Sequence, residues 1–202
     1  KTFMINTADE SLIVIDNMHS TNGNQPIRIS NGESPMLLVV RNSLFEGDSQ
    51  GPRFGTPKAT VIFENNLCTG GMDNGIRLGE GISGIIRHNI FENCAFYGIF
   101  TYNDSKGCNI RVENNIIRNN GGTGGNPSYG GILIDAYMSV DLGGGRVVVY
   151  TSSGMHYGPG TVPVPSVGQN TITGNIEYDV IRTPTNPVVK AENNFWDHTA
   201  VA

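Results

Sequence analysis

The sequence predicts an all-β solenoid whose successive coils stack as parallel strands. One phrase recurs along the chain: a short apolar strand, then Asn, two apolar residues, a charge and a second Asn. Its clearest copies occupy residues 84–93 and 109–119. Self-similarity of this kind is the signature of a repeat architecture. Because the repeated unit consists of strand-like fragments, it indicates coils of β-structure.

The period of the repeat favours a solenoid over other repeat folds. We define the anchor as the residue that precedes the apolar pair. Successive anchors lie 23 or 26 residues apart, except for one step of 56 residues that we interpret as two coils plus an insertion. The anchors are Asn17, Ser43, Asn66, Asn89, Asn115, Thr171 and Asn194. This period is too short for a propeller blade, and it predicts about seven to eight coils.

A strand with one buried face is predicted immediately before each anchor. The position three residues before the anchor is apolar, and the position two residues before it is mostly charged. The apolar column is Val14, Val40, Phe63, Ile86, Val112 and Ala191. The charged column is Ile15, Arg41, Glu64, Arg87, Glu113 and Glu192. Such alternation is typical of a half-buried strand. We interpret the charged column as a structural row of cross-strand ion pairs rather than a pair of catalytic carboxylates.

A further strand is predicted about ten residues after most anchors, so that each coil has three short strands. Its copies are Ile27–Ile29 and residues 76–78, 99–101 and 132–134. Gly75, Gly98 and Gly131 precede three of these copies, which indicates an entry bend that a β-carbon would hinder.

The anchor Asn has a physical reason to recur. Stacked coils lie about 4.8 Å apart, so a buried amide donates to the amide of one neighbouring coil and accepts from the other. It also satisfies backbone groups that the bend leaves unpaired. The sequence therefore predicts an asparagine ladder at one bend. The alternative, Asn as a turn residue only, does not explain the apolar columns on either side.

Three of these phrases are also characteristic of a known family: Asn-Ile-Phe-Glu-Asn at 89–93, Asn-Asn-Ile-Ile-Arg-Asn at 114–119 and Glu-Asn-Asn-Phe-Trp at 192–196. With its Gly-Ile strands as well, the chain resembles the right-handed parallel β-helix repeat family, the pectate-lyase-like superfold. The resemblance covers residues 12–197 with a gap over 137–167. It implies a right-handed parallel β-helix, and it implies little about activity because this superfold hosts many functions.

The domain organisation follows from length and composition. With 202 residues and 38% hydrophobic content, the chain is expected to form a single β-helix domain over residues 1–202. Two segments break the repeat: a loop insertion at 120–129 and an irregular excursion at 137–167.

The charge composition bears on partners and location. Charged residues make up 15% of the chain and the net charge is −5, so there is no basic surplus for nucleic acid. No apolar run approaches the roughly 18 residues of a membrane span. The first residues resemble a strand rather than a leader peptide, and we expect an exported protein, extracellular or at the cell surface, whose leader has been removed. Because an exposed end coil aggregates unless it is covered, an oligomeric or capping partner is expected at the N-terminal end.

Cysteine and histidine are predicted to have structural roles. Cys68 falls in an apolar column and is expected to be a small core residue. Cys94 and Cys108 lie near bends of neighbouring coils, where they would pair only in an oxidising environment. Three cysteines without CxxC spacing do not form a zinc motif. His88 falls beside the anchor and is expected to be a polar bend residue.

The outward face of the Gly-Ile strands is the predicted binding site, with the flanking bends. Its outward positions are expected to stack as Arg28, Gly55, Arg77, Phe100 and Leu133, with Arg53 nearby. The candidate substrate-binding residues are Arg28, Arg53, Arg77, Phe100, Tyr102, Asp104, Tyr129 and Asp135. In the family that the chain resembles, this strand floors a polysaccharide groove. Aromatic rings stack on sugars and Arg pairs with uronate carboxylates. The alternative is a solvated sheet face with scattered charges.

No catalytic residue is assigned from the sequence. The chain lacks the Asp-Asp with Gly-His-Gly of polygalacturonases, the Asp-Pro-His of mannuronan epimerases and the Arg-x-Pro-x-x-Arg of pectate lyases. Asp104 and Asp135 are candidates for an acid–base pair or for calcium ligands. Calcium is therefore a candidate cofactor, although no calcium-loop motif is present.

Two function hypotheses follow. The first is a secreted or surface β-helix protein that binds polysaccharide, with lyase or glycoside hydrolase activity on acidic glycans as its catalytic form. The second is a non-catalytic β-helix: an adhesin, a tail-fibre-like module or a structural surface module. An ice-binding surface is a distant third, because the chain has no regular Thr-x-Thr array.

Overall fold

The computed structural model describes most of the chain. The described residues are 2–5, 10–29, 35–56, 58–79, 81–102, 108–122, 129–135, 138–143, 149–151, 154–156, 166–176, 178–182 and 189–197. Within these residues the secondary structure is entirely β, without a helix. Asp104 and residues 123–128 of the expected loop insertion lie outside this part of the chain.

Three parallel sheets of seven strands each make up the solenoid. Sheet 1 holds the strand before each anchor, sheet 2 the strand after it, and sheet 3 the Gly-Ile strand. Sheet 1 consists of β2 (Ser11–Asp16), β5 (Met36–Arg41), β8 (Ala59–Glu64), β11 (Ser83–Arg87), β14 (Cys108–Glu113), β17 (Met138–Gly143) and β22 (Lys190–Ala191). Sheet 2 consists of β3 (His19–Thr21), β6 (Leu44–Glu46), β9 (Leu67–Thr69), β12 (Ile90–Glu92), β15 (Ile116–Arg118), β20 (Thr171–Thr173) and β23 (Phe195–Trp196). Sheet 3 consists of β1 (Phe3–Ile5), β4 (Ile27–Ile29), β7 (Arg53–Gly55), β10 (Asn74–Gly79), β13 (Tyr97–Thr101), β16 (Gly130–Ile134) and β21 (Tyr178–Arg182).

The predicted all-β parallel solenoid with three strands per coil is confirmed. Five consecutive coils, from β2 to β16, pass through all three sheets without interruption. A sixth is interrupted between β17 and β20, where β18 (Val149–Thr151) and β19 (Gly154–His156) form an antiparallel hairpin. The expected seven to eight coils are therefore slightly too many. Met138–Gly143, expected within the excursion, pairs with β14 in sheet 1, so the irregular segment begins after Gly143.

The core is built from side chains that stack on like side chains of the next coil. Val40, Phe63, Ile86 and Val112 are fully buried and in register on sheet 1. The Phe63 ring lies at its centre, with centroids of Phe45, Phe54 and Phe91 about 6 Å away. Cys68 is a buried free thiol in the Phe45 column, as predicted, and Cys94 is also buried and free. Burial raises the pKa of both thiols well above the ordinary value.

The asparagine ladder is present and continuous over five coils. The Oδ1 of Asn89 accepts from both the backbone N–H and the Nδ2 of Asn66, and the Nδ2 of Asn89 donates to Phe63 O and to Asn115 Oδ1. Asn115 donates in the same way to Asn170, and Asn170 to Asn194. At the other end Ser43 replaces Asn, with its N–H donating to Asn66 Oδ1 at 3.0 Å.

Two predicted anchors are wrong by one residue. In the first coil Met18 occupies the ladder position, because its N–H donates to Ser43 Oγ, and Asn17 precedes it. In the sixth, the ladder amide belongs to Asn170 rather than to Thr171, which begins β20. The residue before each ladder position has φ between 52° and 60°. This left-handed conformation suits Asn, which explains why Asn17 was mistaken for the ladder residue.

The bend between sheets 1 and 2 has a constant length, whereas the corner between sheets 3 and 1 varies. In each uninterrupted coil two residues separate the sheet 1 strand from the sheet 2 strand, for example His88 and Asn89. His88 is exposed with φ 55°, which confirms it as a bend residue. The corner from sheet 3 to the next sheet 1 strand holds three residues in three coils and six in the other two. This corner accounts for most of the difference between the anchor-to-anchor steps of 23 and 26 residues.

The Gly-Ile pattern has the predicted steric origin. A β-carbon on Gly75 would lie 2.5 Å from Gly98 O and 2.6 Å from a ring carbon of Phe91. One on Gly98 would lie 2.8 Å from a methyl carbon of Ile117. In each of these two strands both residues of the Gly-Ile pair are buried, and only the Ile has a side chain.

We expect Asn89→Leu to destabilise the protein by about 3 kcal/mol or more. The substitution removes the acceptor of the Asn66 N–H and strands buried amide groups on both neighbouring coils, at roughly 1–3 kcal/mol each. The measurement is the free energy of unfolding in urea. Asn65→Gly is the matched control, because Asn65 is exposed with φ 54° and should tolerate Gly. Equal stability of Asn89→Leu and wild type would contradict the ladder.

Gly75→Ala should cost roughly 1–3 kcal/mol, because the new methyl group would overpack the core against Phe91 and the Gly98 carbonyl. Thermal and urea unfolding would measure the change. Gly122→Ala is the comparison: its nearest neighbour would be a methyl carbon of Ile176 at 3.8 Å, and stability should be nearly unchanged. A larger loss in Gly122→Ala than in Gly75→Ala would refute the steric explanation.

Candidate functional site

A row of arginines runs along the outer face of sheet 3. Arg28 of β4 pairs in register with Arg53 of β7, and Arg53 with Arg77 of β10. The predicted outward position in the second coil was Gly55, with Arg53 nearby, and this is wrong. The buried Phe54 pairs with Leu78, so Arg53 rather than Gly55 lies in register with Arg77, and Gly55 pairs with Gly79. The correction makes the arginine row continuous over three coils.

Aromatic residues continue the row toward the C-terminal coils. Phe100 of β13 follows Arg77 in register, and Leu133 of β16 follows Phe100. Tyr97 stacks on Phe100 with ring centroids 5.5 Å apart, and the Tyr129 ring meets Tyr97 edge-on at 5.5 Å. Phe96 packs on Tyr129 at 4.4 Å. These rings form one connected aromatic cluster beside the arginines.

The arginines and the aromatic rings hold one another in place. The guanidinium of Arg77 lies 5.3 Å from the Phe100 centroid, and that of Arg53 lies 4.9 Å from the Tyr102 centroid. The Tyr102 ring rests on the backbone of Gly79, where a β-carbon would be 2.5 Å from the ring. Cation–π contacts of this kind are attractive and restrict the arginine rotamers. The cluster therefore presents guanidinium groups on a rigid support.

A line of amides runs beside the arginine row. Gln25 Nε2 donates to Gln50 Oε1 at 2.6 Å, and Arg77 Nη1 donates to the same oxygen at 2.8 Å. Both glutamines stand three residues before an arginine of the row, in Gln-Pro-Ile-Arg and Gln-Gly-Pro-Arg. Neither glutamine was among the predicted site residues, although this shared spacing is a signal that could have identified them.

Two buried polar atoms near Arg77 have no hydrogen-bond partner among the described residues. They are the Nε of Arg77 and the Oδ1 of Asn74, at the start of the same strand. Burial lowers the pKa of Arg77, and the nearby positive charge of Arg53 lowers it further. Burial raises the pKa of Asp73, an effect that the positive charge of Arg77 opposes. Arg77 is thus partly desolvated, and its Nε lacks a hydrogen-bond partner within the described residues although its Nη1 has one.

The structure brings together seven of the eight predicted site residues. The row consists of Arg28, Arg53, Arg77 and Phe100, and it is flanked by Tyr102 and Tyr129. The N–H of Asp135 donates to Thr101 Oγ1 at 3.0 Å, which fixes Asp135 at the end of the neighbouring strand. Asp104 lies outside the described residues. The predicted set omits Phe96 and Tyr97, which complete the aromatic cluster.

No metal centre or membrane-spanning helix is found in the described part of the chain. Its His, Cys, Asp and Glu side chains do not form a group of three or more arranged around a metal ion. None of its segments is a helix long and apolar enough to cross a membrane.

Comparison with known proteins adds one finding. The family model for the right-handed beta helix region matches residues 3–141, which include the arginine row and the whole aromatic cluster. Neither the curated proteins nor the solved structures gave a significant match.

We expect Tyr97 to make stability depend on alkaline pH. Burial, with the nearby Tyr129 and Asp135, raises the pKa of Tyr97 from 10.0 to about 12, and the residue is only 7% exposed. Because the folded state holds this proton more tightly than the unfolded state, the contribution is complete below pH 10 and is lost as the pH rises to about 12.

Urea unfolding at several pH values between 9 and 12 measures this dependence, in wild type and in Tyr97→Phe. The variant should lose a slope of up to about 1.4 kcal/mol per pH unit in that window, while it keeps the ring packing. Tyr178→Phe is the control, because Tyr178 is 50% exposed. Identical slopes in wild type and Tyr97→Phe would exclude the assignment.

Proposed function

The chain belongs to the right-handed β-helix family, and on this premise we propose that it binds an acidic polysaccharide along the outer face of sheet 3. The observation that carries the proposal is the in-register row of Arg28, Arg53 and Arg77. The polymer would run along the solenoid axis, across the strands, so that successive arginines meet successive anionic sugar units.

The charge environment of Arg28 and Arg77 differs from that of three arginines on the other faces. On sheets 1 and 2 three arginines are neutralised, with Arg41 on Asp16, Arg87 on Glu64 and Arg118 on Glu92. Within the described residues no carboxylate forms an ion pair with Arg28 or Arg77. Like charges directly opposite one another on a sheet are destabilising. A stacked cationic row in a protein of net charge −5 therefore supports an anionic ligand.

The chemistry of guanidinium groups supports carboxylate as the anion. Arg presents a planar fork that pairs with a carboxylate through two parallel hydrogen bonds. Phe100 and Tyr102 lie against the guanidinium groups of Arg77 and Arg53, so we assign these rings to positioning the arginines. The tyrosine hydroxyls at the rim supply donors and acceptors for neutral sugar hydroxyls. A uronate polymer offers both kinds of partner.

In this proposal the protein is secreted or lies at the cell surface. Retention on a glycan surface would serve an adhesin or a structural module as well as an enzyme. Activity assays distinguish the catalytic form from the non-catalytic forms. Incubation with polygalacturonate and with alginate, followed by absorbance of unsaturated uronate, detects a lyase. Release of reducing ends detects a hydrolase. Retention without either product assigns the non-catalytic form.

We expect Arg28→Gln and Arg53→Gln each to weaken binding to polygalacturonate by roughly 10- to 150-fold, since each removes one charge-assisted pair worth roughly 1.5–3 kcal/mol. Affinity electrophoresis and calorimetry would measure the change, which should shrink at high salt because salt screens exposed charges. Arg118→Gln on sheet 2 carries the same charge change and should bind as wild type. Equal weakening by all three variants would reduce the effect to net charge and overturn the proposed site.

A further inference from the structure

The outer face of sheet 1 carries an apolar stripe that no described residue covers completely. Val14, Val39, Ile62 and Ile85 occupy the same outward position on four successive coils. Val14 is 50% exposed and the other three are partly exposed. The sequence placed Val14 in the core column, and it points outward because the first anchor is displaced by one residue. In the fifth coil the position is taken by Arg111, so the stripe is four coils long.

The stripe is wider at its N-terminal half. Leu12 and Leu37 share the next outward position along the strand, and they are 68% and 37% exposed. Thr60 and Ser83 hold this position in the third and fourth coils. This column thus has two large side chains on the first two coils and two small hydroxyl residues on the next two.

A charged row borders the stripe on its other side. Asp16, Arg41, Glu64 and Arg87 are in register on the same four coils, and their charges alternate in sign. Within the monomer they form two ion pairs, Arg41 with Asp16 at 2.9 Å and Arg87 with Glu64 at 2.7 Å. The side chains remain partly exposed on the face, so each can meet a further charge.

We propose that this face of sheet 1 is a dimer interface between two copies of the chain, related by a two-fold axis parallel to the strands and passing between the second and third coils. Such an axis keeps every residue in its own column and reverses the order of the coils. Asp16 of one copy then faces Arg87 of the other, and Arg41 faces Glu64. All four charges meet the opposite sign.

The same axis matches the apolar residues. Val14 faces Ile85 of the second copy, and Val39 faces Ile62. The bulky Leu12 and Leu37 face the smaller Ser83 and Thr60, so large residues oppose small ones. The apolar stripe and the charged row, which are independent features of the sequence, share one centre of symmetry.

Shifting the axis by half a coil destroys the charge match. If the axis passed through the third coil, Arg41 would face Arg87 of the other copy, and Glu64 would face the Glu64 of the other copy. The fifth coil would then add Glu113 to the charged row. Like charges in contact suppress a pairing. The alternation therefore excludes every axis that is centred on a coil. Among the axes that pass between coils, the apolar stripe selects this one, because an axis between the third and fourth coils would place Val39 against Arg111 of the other copy. The interface is isologous, since both copies use the same patch.

The extent of the patch predicts a weak dimer. Four strands about 4.8 Å apart and about 17 Å long cover roughly 330 Å² of projected area per copy. The pair would bury less than the roughly 1,200–2,000 Å² typical of stable complexes. We infer a reversible dimer whose population depends on concentration, and whose sheet 3 faces both remain open.

The test uses sedimentation velocity of the full chain between about 10 µM and about 1 mM. Wild type should shift from monomer toward dimer over this range. Arg41→Glu places a carboxylate against Glu64 of the other copy, and Glu64→Arg places a guanidinium against Arg41. Each variant alone should dimerise at least about tenfold more weakly.

Mixing the two variants is the decisive measurement. In a mixed dimer the carboxylate introduced by Arg41→Glu in one copy faces the guanidinium introduced by Glu64→Arg in the other. The second contact of the pair, between the unchanged Glu64 and the unchanged Arg41, is native. The equimolar mixture should therefore recover the wild-type association, which a change within one monomer cannot produce. Arg118→Glu, which breaks the Glu92 pair on sheet 2, should associate as wild type.

Three outcomes would overturn the proposal: a wild type that stays monomeric up to the highest concentration, a mixture that associates no better than the separate variants, or a loss in Arg118→Glu equal to that in Arg41→Glu. Circular dichroism of each variant confirms that the charge changes leave the solenoid folded.

Discussion

Stacking of one coil on the next in a fixed register is the constraint on which the rest of the molecule depends. Each strand bonds through its backbone to the same strand of the neighbouring coils, so any residue meets its own counterpart above and below. The asparagine ladder stabilises this arrangement where the backbone bends, because Asn66, Asn89 and Asn115 satisfy buried N–H and C=O groups there. Once the register is set, every column of the sequence becomes a line of contacts along the axis.

The same constraint produces both surfaces for which we propose a role. An arginine at the same position of sheet 3 in three successive coils forms the row of Arg28, Arg53 and Arg77. Alternating charges on sheet 1 become the border of an apolar stripe. Neither surface requires an unusual backbone, since each follows from repetition of a residue type at one phase of the coil. Sheet 2 differs in that its pair of Glu92 with Arg118 is followed in register by the uncharged Thr173.

The sequence was sufficient to predict the fold class, the three strands per coil, the ladder and the glycine column, because each leaves a periodic trace. It was less reliable where two kinds of bend residue look alike. Asn serves both as the ladder amide and as the left-handed residue before it, so Asn17 was misassigned in a coil whose ladder position is Met18. In β7 the predicted register was wrong by two residues, because Phe54 pairs with Leu78 rather than with Ile76, and the arginine row was consequently given a gap at Gly55. The contacts of Tyr102 with Arg53 join side chains from different coils, and no local pattern encodes them.

The difference between the two bends has a consequence for how such a protein diversifies. The two-residue bend carries the ladder, so inserting a residue there would break contacts in both adjacent coils. The corner between sheets 3 and 1 already accepts three or six residues without a change of register, and it lies beside the arginine and aromatic face. Changes of length can therefore accumulate at one edge of the molecule, beside the proposed binding face, while the alignment of the coils is maintained at another.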